Sequence, residues 1–317
     1  MYLLITIIRN YLFSHHLIQS RKYSDVFVLC VGNIRVGGTG KTPMVEYLIR
    51  HLQNIFPLAV VSLGYKRKMK GLHEIQDTDT AQMVGDEPKQ MSEKFPNIKF
   101  IVSKDRNEAI DYIRNKYKEI KLIILDDAMQ YRKTTPTHTI LLTEYNRPYF
   151  SDHIIPYGRL RESKRESKRA NTIIVTKCEH GISDKEKREF TKQLDINEDQ
   201  KVFFSTIKYY MPEDLDKTKS LLFIAGIDNP MPAVDFLQKQ DYTVTLLKYP
   251  DHHTFTKEDI LQIQNKAKNN YQIITTEKDA VRLREYDISF SVLKIENEID
   301  NNFLDYITNE IRTHIRS

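Results

Sequence analysis

A glycine-rich stretch at residues 31–43, VGNIRVGGTGKTP, constrains the fold of this chain more than any other feature. It follows an apolar run, 26–31, that is typical of a strand, and it precedes a run, 44–52, that is typical of a helix. Glycines let the backbone approach an anion, and consecutive N–H groups at a helix N-terminus then hold phosphate oxygens. We therefore predict a nucleotide site formed by Gly37, Gly38, Thr39, Gly40, Lys41 and Thr42.

The stretch departs from the usual phosphate-loop pattern at one position. The pattern G-x-x-x-x-G-K-[ST] has glycine five residues before Gly40, where this chain has Arg35, although the end of the motif, GGTGKT, is intact. In such a loop Lys41 would place its ammonium group on the β- and γ-phosphates and Thr42 its hydroxyl on Mg²⁺. The alternative is a glycine-rich turn between strand and helix that binds no ligand.

The composition narrows the class of protein. With 317 residues the chain is long enough for two domains, and its 40% hydrophobic and 29% charged residues exclude a disordered or fibrous protein. Its two cysteines lack the spacing of a zinc site. The net charge of +5 is modest, and aromatic residues are not interleaved with a basic stripe. We expect phosphorylated small molecules or an anionic membrane surface as partners, and no nucleic acid.

Strand-like runs alternate with helix-like patterns along the chain. We predict strands at 26–31, 58–63, 99–102, 122–125, 139–143, 221–225, 242–247, 273–275 and 290–295, and helices at 42–53, 86–95, 105–118, 231–239, 257–267, 277–285 and about 300–314. This alternation predicts an α/β fold of the P-loop NTPase type, with a mostly parallel sheet covered by helices on both faces, and a smaller C-terminal α/β domain. We place the domain boundaries at 1–22, an N-terminal helix, 23–215 and 216–317.

Two acidic pairs are candidates for metal binding and proton transfer. Asp126 and Asp127 end the apolar run 122–125 like a Walker B strand, and ligands gather at the carboxyl ends of parallel strands. Asp86 and Glu87 begin a predicted helix, where one carboxylate near the γ-phosphate can accept the proton of an attacking hydroxyl and the other can bind metal. The alternatives are a solvated turn for the first pair and an N-cap for Asp86.

Three further segments carry polar candidates or membrane character. Arg161 and Glu162 follow a Pro/Gly turn, whereas we interpret the cationic run 164–169 as a solvated face. The pair His252 and His253 is compatible with metal ligands or with polar loop residues. Residues 1–17 are rich in apolar side chains, but Arg9 and Asn10 interrupt them, so the uninterrupted apolar run is too short to span a bilayer, and the stretch lacks the order of a secretory signal. They predict an interfacial membrane helix or a helix packed on the protein's own core.

The ordered set of motifs resembles the tetraacyldisaccharide 4′-kinase family. Beside the phosphate loop the chain has SLGY at 62–65, GDEP at 85–88, DDAMQ at 126–130, PYGRLRE at 156–162, GIDNP at 226–230, DHH at 251–253 and TTEKD at 275–279. The resemblance runs from the first helix to about residue 285. It implies a P-loop kinase with two α/β domains that uses ATP and Mg²⁺ to phosphorylate the 4′-hydroxyl of the tetraacylated glucosamine disaccharide 1-phosphate, forming lipid IVA in lipid A biosynthesis.

The same resemblance implies roles for individual residues. Lys41 and Thr42 would hold ATP and Mg²⁺, and Glu87 with Asp126 would support the metal. The residues that would complete the catalytic and substrate-binding set are Asp86 and His252 as the dyad that activates the sugar hydroxyl, Asp127 as a further catalytic group, and Tyr65, Arg161 and Glu162 in the substrate cleft. The second domain would thus contribute a catalytic histidine.

The chain also differs from the usual family pattern. The family usually has Arg, Phe and His at the positions of Leu63, Met129 and Tyr131, and Gly or Ala near Asp228.

We expect a monomer on the cytoplasmic face of the bacterial inner membrane, attached without crossing it. The alternative function is a regulatory or assembly ATPase in which nucleotide binding switches a partner interaction.

Overall fold

The computed structural model describes residues 2–15, 17–251, 253–268 and 270–316. In these ranges the strands are β1 (Phe27–Gly32), β2 (Leu58–Ser62), β3 (His73–Glu74), β4 (Lys99–Val102), β5 (Leu122–Asp126), β6 (His138–Glu144), β7 (Thr172–Cys178), β8 (Lys201–Tyr210), β9 (Ser220–Ala225), β10 (Val244–Lys248), β11 (Tyr271–Thr276) and β12 (Ser291–Ile299). The α-helices are α1 (Tyr2–Ser14), α2 (Lys41–Leu52), α3 (Ala81–Val84), α4 (Asp86–Lys94), α5 (Arg106–Lys116), α6 (Asp184–Gln193), α7 (Met231–Gln238), α8 (Lys257–Ala267), α9 (Glu277–Leu283) and α10 (Phe303–Arg316).

The described strands form one sheet, in the order β10-β9-β11-β12-β8-β7-β6-β1-β5-β2-β4-β3. The strands from β8 to β4 in this order are parallel to one another, and we call them the first block. The strands from β10 to β12 are also mutually parallel and form the second block. The short strand β3 closes one edge by pairing antiparallel with β4.

The two blocks are joined by the antiparallel pair of β8 and β12. β8 pairs with β7 along residues 201–206 and with β12 along residues 205–210, so the second block extends past the carboxyl edge of the first. Because the joining pair is antiparallel, the strands of the second block run back toward the first. The carboxyl ends of the two blocks therefore face each other, and side chains from both can share one cleft.

Helices cover both faces of the first block. Alternate side chains of β1 enter the two faces, with Val28 and Cys30 in the core that α5 covers and Phe27, Leu29 and Val31 in the core that α2, α4 and α10 cover. This alternation of fully buried residues on a central strand is why its sequence is apolar throughout. The second block has its own two apolar layers, which α7 and α8 cover.

The predicted fold class is confirmed, and each predicted strand and helix coincides with an observed element to within a few residues. β3, the short helix α3 and the segment containing β7, α6 and β8 were not predicted. The division at residue 216 stays a prediction. Helix α10, which follows this boundary, packs into the core of the first block. Helix α8 begins with a capping box between Thr256 and Asp259.

Helix α1 lies against the body of the protein on one side only. Asn10 and Phe13 are buried, whereas Ile8 is 50% and Tyr11 57% exposed. Arg9 and Asn10 both bond to the carboxylate of Glu162. The structure thus combines a packed face with an exposed apolar face, and in the described ranges we find no helix with the length and hydropathy needed to cross a bilayer.

Candidate active site

The glycine-rich stretch connects β1 to α2, as its sequence predicts. Gly37 has a φ of 114° and Gly40, the N-cap of α2, a φ of 87°, both in the region that favours glycine. α2 begins at Lys41, so the last glycine places the chain at a helix N-terminus, where unpaired N–H groups and the helix dipole attract anions. The loop has the local geometry of an anion site.

The unusual Arg35 has a structural partner on each side. Its side chain is 8% exposed and reaches Glu144 Oε2 at 3.0 Å through Nη1 and Asp152 Oδ2 at 2.8 Å through Nε. The guanidinium is therefore held at the ends of β6 and the following loop. Arg35, at the position of the first motif glycine, thus fastens the start of the loop, and three glycines follow it.

Two carboxylates emerge at the end of β5, and their pKa values are shifted in opposite directions. Asp126 is 2% exposed, and burial, followed by the negative charges of Glu87 and Asp127, raises its pKa to about 7. Burial acts in the same direction on Asp127, but the positive charges of Lys41 and Arg161 outweigh it and lower the Asp127 pKa. Lys41 Nζ is 3.7 Å from Asp127 Oδ2, and Arg161 donates to both Asp127 oxygens at 3.1 and 3.2 Å.

At the end of β5, Asp126 offers an oxygen that could hold the predicted Mg²⁺. Asp126 Oδ2 accepts a hydrogen bond of 3.0 Å from Ser62, whereas Asp126 Oδ1 is buried and has no hydrogen-bond partner among the described residues. Mutual repulsion between this carboxylate and that of Glu87 is the kind that a metal ion relieves. Thr42 lies half-buried in the first turn of α2. Oxygen ligands of this kind are those that Mg²⁺ prefers.

Asp86 and Glu87 form the first turn of α4 and face cations from the second block. The N-cap of α4 is Gly85, so the interpretation of Asp86 as an N-cap is wrong. Arg282 Nη1 lies 3.7 Å from Asp86 Oδ2, and Lys278 Nζ donates to Glu87 Oε1 at 3.1 Å. Both carboxylates are thus placed where the two blocks meet.

His252 lies outside the described residues, but its neighbours on both sides are described. Asp251 accepts a hydrogen bond of 3.0 Å from Lys278, and the carbonyl oxygen of His253 accepts one of 2.9 Å from Arg282. The same two cations face Glu87 and Asp86. The imidazole of His253 contacts Asp259 at 2.8 Å and stacks on Tyr249, so this member of the histidine pair belongs to the start of α8.

The substrate candidates differ in accessibility. Tyr65 is 59% exposed and follows Gly64, and a Cβ built on Gly85 would lie 2.9 Å from Gly64 Cα, so this segment packs directly against the start of α4. Arg161 reaches Asn33 as well as Asp127 and so joins the phosphate loop to the end of β5. Glu162 has a fully enclosed side chain, which binds helix α1 and Arg169.

The structure also explains two departures from the family pattern. Tyr131 donates to Asp105 Oδ1 at 2.7 Å, and Arg106 lies over its ring. Met129 is buried and packs against Gly32, where a Cβ would meet it at 2.7 Å. Met129 therefore packs against the end of β1, and Tyr131 joins the segment after β5 to the N-terminus of α5.

Our sequence analysis assigned no role to the individual residues of the TTEKD segment. Its Lys278 bonds to Glu87, and Asp279 is fully buried, accepting from Gly226 N at 2.9 Å and pairing with Arg282. The available signal was a charged run directly after a strand of the second block, at its carboxyl end. Only the facing of the two blocks gives those charges their partners.

Comparison with known proteins places the chain among kinases. The model of the family described as LpxK, tetraacyldisaccharide-1-P 4′-kinase, matches residues 1–312. A tetraacyldisaccharide 4′-kinase of Flavobacterium johnsoniae is 40% identical over 294 residues, covering 90% of this chain and 85% of the relative. One of Phocaeicola vulgatus is 38% identical over 305 residues, covering 90% and 83%.

A solved structure shares the fold. It is the "apo" form of LpxK from Aquifex aeolicus in complex with ATP, which superimposes with a TM-score of 0.77 at 24% identity and covers 99% of this chain and 96% of that one. A structural likeness at 24% sequence identity is evidence that the two chains share a fold. The facing arrangement of two α/β blocks is therefore shared with a protein that was crystallised with a nucleotide.

Proposed function

The chain belongs to the tetraacyldisaccharide-1-P 4′-kinase family, and from this premise we propose how its residues carry out the reaction. It is an ATP-dependent kinase that transfers the γ-phosphate of ATP to the 4′-hydroxyl of the tetraacylated glucosamine disaccharide 1-phosphate, in lipid A biosynthesis. The observation that supports this most is the meeting of the phosphate-loop Lys41, the carboxylates ending β5 and those starting α4 in one cleft.

Lys41 and the glycine-rich loop bind and orient the triphosphate of ATP. The ammonium of Lys41 already lies 3.7 Å from Asp127, so its charge is available at the strand ends before nucleotide arrives. Thr42, Glu87 and Asp126 are the groups that would hold Mg²⁺. When bound there, Mg²⁺ would neutralise part of the phosphate charge.

Asp86 accepts the proton of the 4′-hydroxyl, with His252 as its partner. The hydroxyl oxygen forms a bond to the γ-phosphorus, the bond from that phosphorus to the β–γ bridging oxygen breaks, and ADP leaves with the electron pair. Support for the pairing comes from Arg282, which faces Asp86 and also binds the carbonyl of His253, next to His252. Positioned general bases of this kind contribute about 10²- to 10⁴-fold to rate.

The remaining site residues orient the lipid acceptor. Arg161 is held between Asp127 and Asn33, so its guanidinium is fixed beside the reacting groups, and we assign Tyr65 to the sugar on the other side of the cleft. Asp127 serves as the counter-ion that keeps Lys41 and Arg161 in place. Glu162 supports the cleft from behind by fastening helix α1.

Helix α1 attaches the protein to the cytoplasmic face of the inner membrane. Support comes from its exposed Ile8 and Tyr11 and from Leu17 and Ile18 just after it, which are 67% and 40% exposed. An interfacial helix of this kind binds reversibly, since it buries only one apolar face. Salt or mild detergent should therefore release much of the protein from membranes, and complete solubility without lipid would contradict the assignment.

The first experiment is transfer of labelled γ-phosphate from ATP to purified acylated glucosamine disaccharide 1-phosphate in detergent micelles. The unmodified chain should label the lipid, and Lys41→Ala should not. A matched control is Lys185→Ala, because Lys185 is 80% exposed on α6, away from the cleft. ATP turnover without labelled lipid would instead favour the regulatory ATPase.

A second experiment tests the dyad. Asp86→Ala and His252→Ala should each lower transfer by about 10²-fold or more, and the double variant should lose less than the product of the two, because members of one catalytic unit are not additive. His253→Ala is the neighbouring control, since its imidazole faces Asp259. Fully multiplicative losses would show that Asp86 and His252 act separately.

A further inference from the structure

Two adjacent residues at the end of β7 hold the phosphate loop from its outer side. Thr176 is fully buried, and its Oγ1 lies 3.0 Å from the carbonyl oxygen of Thr39. The ammonium of Lys177 donates to the carbonyl oxygen of Gly38. Two consecutive carbonyls of the loop are therefore bound by a neighbouring strand that our sequence analysis did not connect with the site.

The backbone of β7 is shaped to make these contacts. Its register with β8 shifts between Val175 and Cys178, and Lys177 has a φ of 57°, which is uncommon for a residue with a side chain. The bulge turns the Lys177 side chain toward the loop, where Glu144 accepts a second hydrogen bond from it. Strained conformations of this kind persist where the surrounding structure holds them, and they cluster at functional sites.

Holding a carbonyl outward fixes the direction of the N–H group in the same peptide unit. In a trans peptide the C=O and N–H bonds point to opposite sides, so a Thr39 carbonyl bound by Thr176 leaves the N–H of Gly40 facing the other way. The Gly38–Thr39 peptide is fixed at both ends, because Lys177 binds its carbonyl and its N–H donates to Gly37 O at 3.0 Å.

Lys177 acts on the loop and is not itself placed as a phosphate ligand. Its ammonium is engaged by the Gly38 carbonyl and by Glu144, on the carbonyl side of the loop. Glu144 also binds Arg35 and Arg147, so its carboxylate is fixed by three cations and gives Lys177 a rigid attachment. The contacts tie the loop to the ends of both β6 and β7.

We propose that Thr176 and Lys177 are positioning residues for ATP, which hold the phosphate loop in its anion-accepting shape before the nucleotide binds. The proposal rests on the proposed function, because it assigns the loop to the triphosphate of ATP. A loop ordered in advance loses less conformational freedom on binding, so its affinity for the ligand is higher. Loss of either contact weakens ATP binding and leaves the chemical step largely intact.

The test compares ATP dissociation constants, measured by equilibrium dialysis with Mg²⁺, in the unmodified chain and in Lys177→Met and Thr176→Val. We expect the constant to rise about tenfold for Lys177→Met, as for one lost charge-assisted hydrogen bond, and about threefold for Thr176→Val. The variants Lys177→Arg and Thr176→Ser keep a donor and should restore most of the affinity. Lys185→Met, on α6, is the matched control.

Steady-state kinetics give the second readout. The KM for ATP should rise in parallel with the dissociation constant, while kcat at saturating ATP changes less than twofold and the KM for the lipid acceptor is unchanged. Unaltered ATP binding in both variants, or a fall in kcat at a normal KM for ATP, would overturn the inference and leave the kinase assignment standing. Absence of ATP binding by the unmodified chain would overturn the proposed function and this inference with it.

Discussion

Replacing Glu162 by glutamine should loosen helix α1 by an amount that the contacts of this carboxylate define. Its side chain is fully enclosed and accepts hydrogen bonds from Arg9 at 2.7 Å, Asn10 at 3.0 Å and Arg169 at 3.0 Å. A fourth donor, Gln130, lies at 3.3 Å. Glutamine keeps the shape of the side chain but removes the charge and one acceptor oxygen.

The magnitude follows from the two bonds that join Glu162 to α1, those donated by Arg9 and Asn10. A hydrogen bond to a charged group contributes about 1.5–3 kcal/mol and a neutral one about 0.5–1.5 kcal/mol, so each of the two should lose about 1 kcal/mol. The side chains of Arg9 and Arg169 are 37% and 27% exposed, so water can solvate both guanidinium groups in the variant, and neither becomes an unpaired buried charge. We expect a total of about 2 kcal/mol, which is roughly a 30-fold change in an equilibrium constant.

Native-state hydrogen exchange is the appropriate assay, because the loss should be local. Amides of α1 should exchange about 30-fold faster in Glu162→Gln, while amides of β1 and β5 keep their protection. Glu189→Gln is the control, since Glu189 is 59% exposed and its lysine partner lies 4.0 Å away. Unchanged exchange in α1 would refute the view that Glu162 fastens this helix.

Three further predictions concern charge. Burial lowers the pKa of His138 to about 4, so the unfolded chain binds a proton that the folded chain does not, and the free energy of unfolding decreases as the pH falls from about 6.5 toward 4. Between pH 8 and pH 5, His138→Gln should therefore lose about 2 kcal/mol less of its free energy of unfolding than the unmodified chain does. The control variant His180→Gln, at an exposed position, should behave like the unmodified chain. Asp228 pairs with Arg147, and its carboxylate lies 3.6 Å from a Cβ built on Gly37. Asp228→Ala should lower the KM for ATP about threefold, because it removes a negative charge close to the phosphate loop. A raised KM for ATP would contradict this reasoning. Asp126→Asn should raise the Mg²⁺ concentration for half-maximal transfer about tenfold or more, and an unchanged Mg²⁺ dependence would exclude this residue as a ligand.

Local patterns in the sequence were sufficient for most of the first block. Strands such as β1 and β5 are buried on both faces, so their apolar runs are continuous, and the turn to α2 requires glycines at positive φ. The carboxylates after β5 could be placed near the loop because parallel strands end at one edge. Those inferences need only the direction and the burial of each strand.

The joint between the blocks could not be predicted from local patterns. Nothing in the sequence of β8 or β12 states that they pair antiparallel, yet this pairing decides that the second block faces the first. Contacts such as that of Lys278 with Glu87 join residues 191 positions apart. Local patterns therefore brought the phosphate loop and the end of β5 together, whereas the contacts of Lys278 and Arg282 were recognised only in three dimensions.

The return of helix α10 to the first block has a consequence for synthesis of the chain. Phe303, Ile307 and Ile311 are fully buried in one core with Phe27 and Leu29 of β1, so the hydrophobic core beside β1 and α2 includes side chains made more than 270 residues later. Domains generally fold as they leave the ribosome, but here the first block cannot complete its core until the second has been translated. Nascent chains released before residue 303 would expose this apolar surface, and they would be substrates for chaperones and proteases.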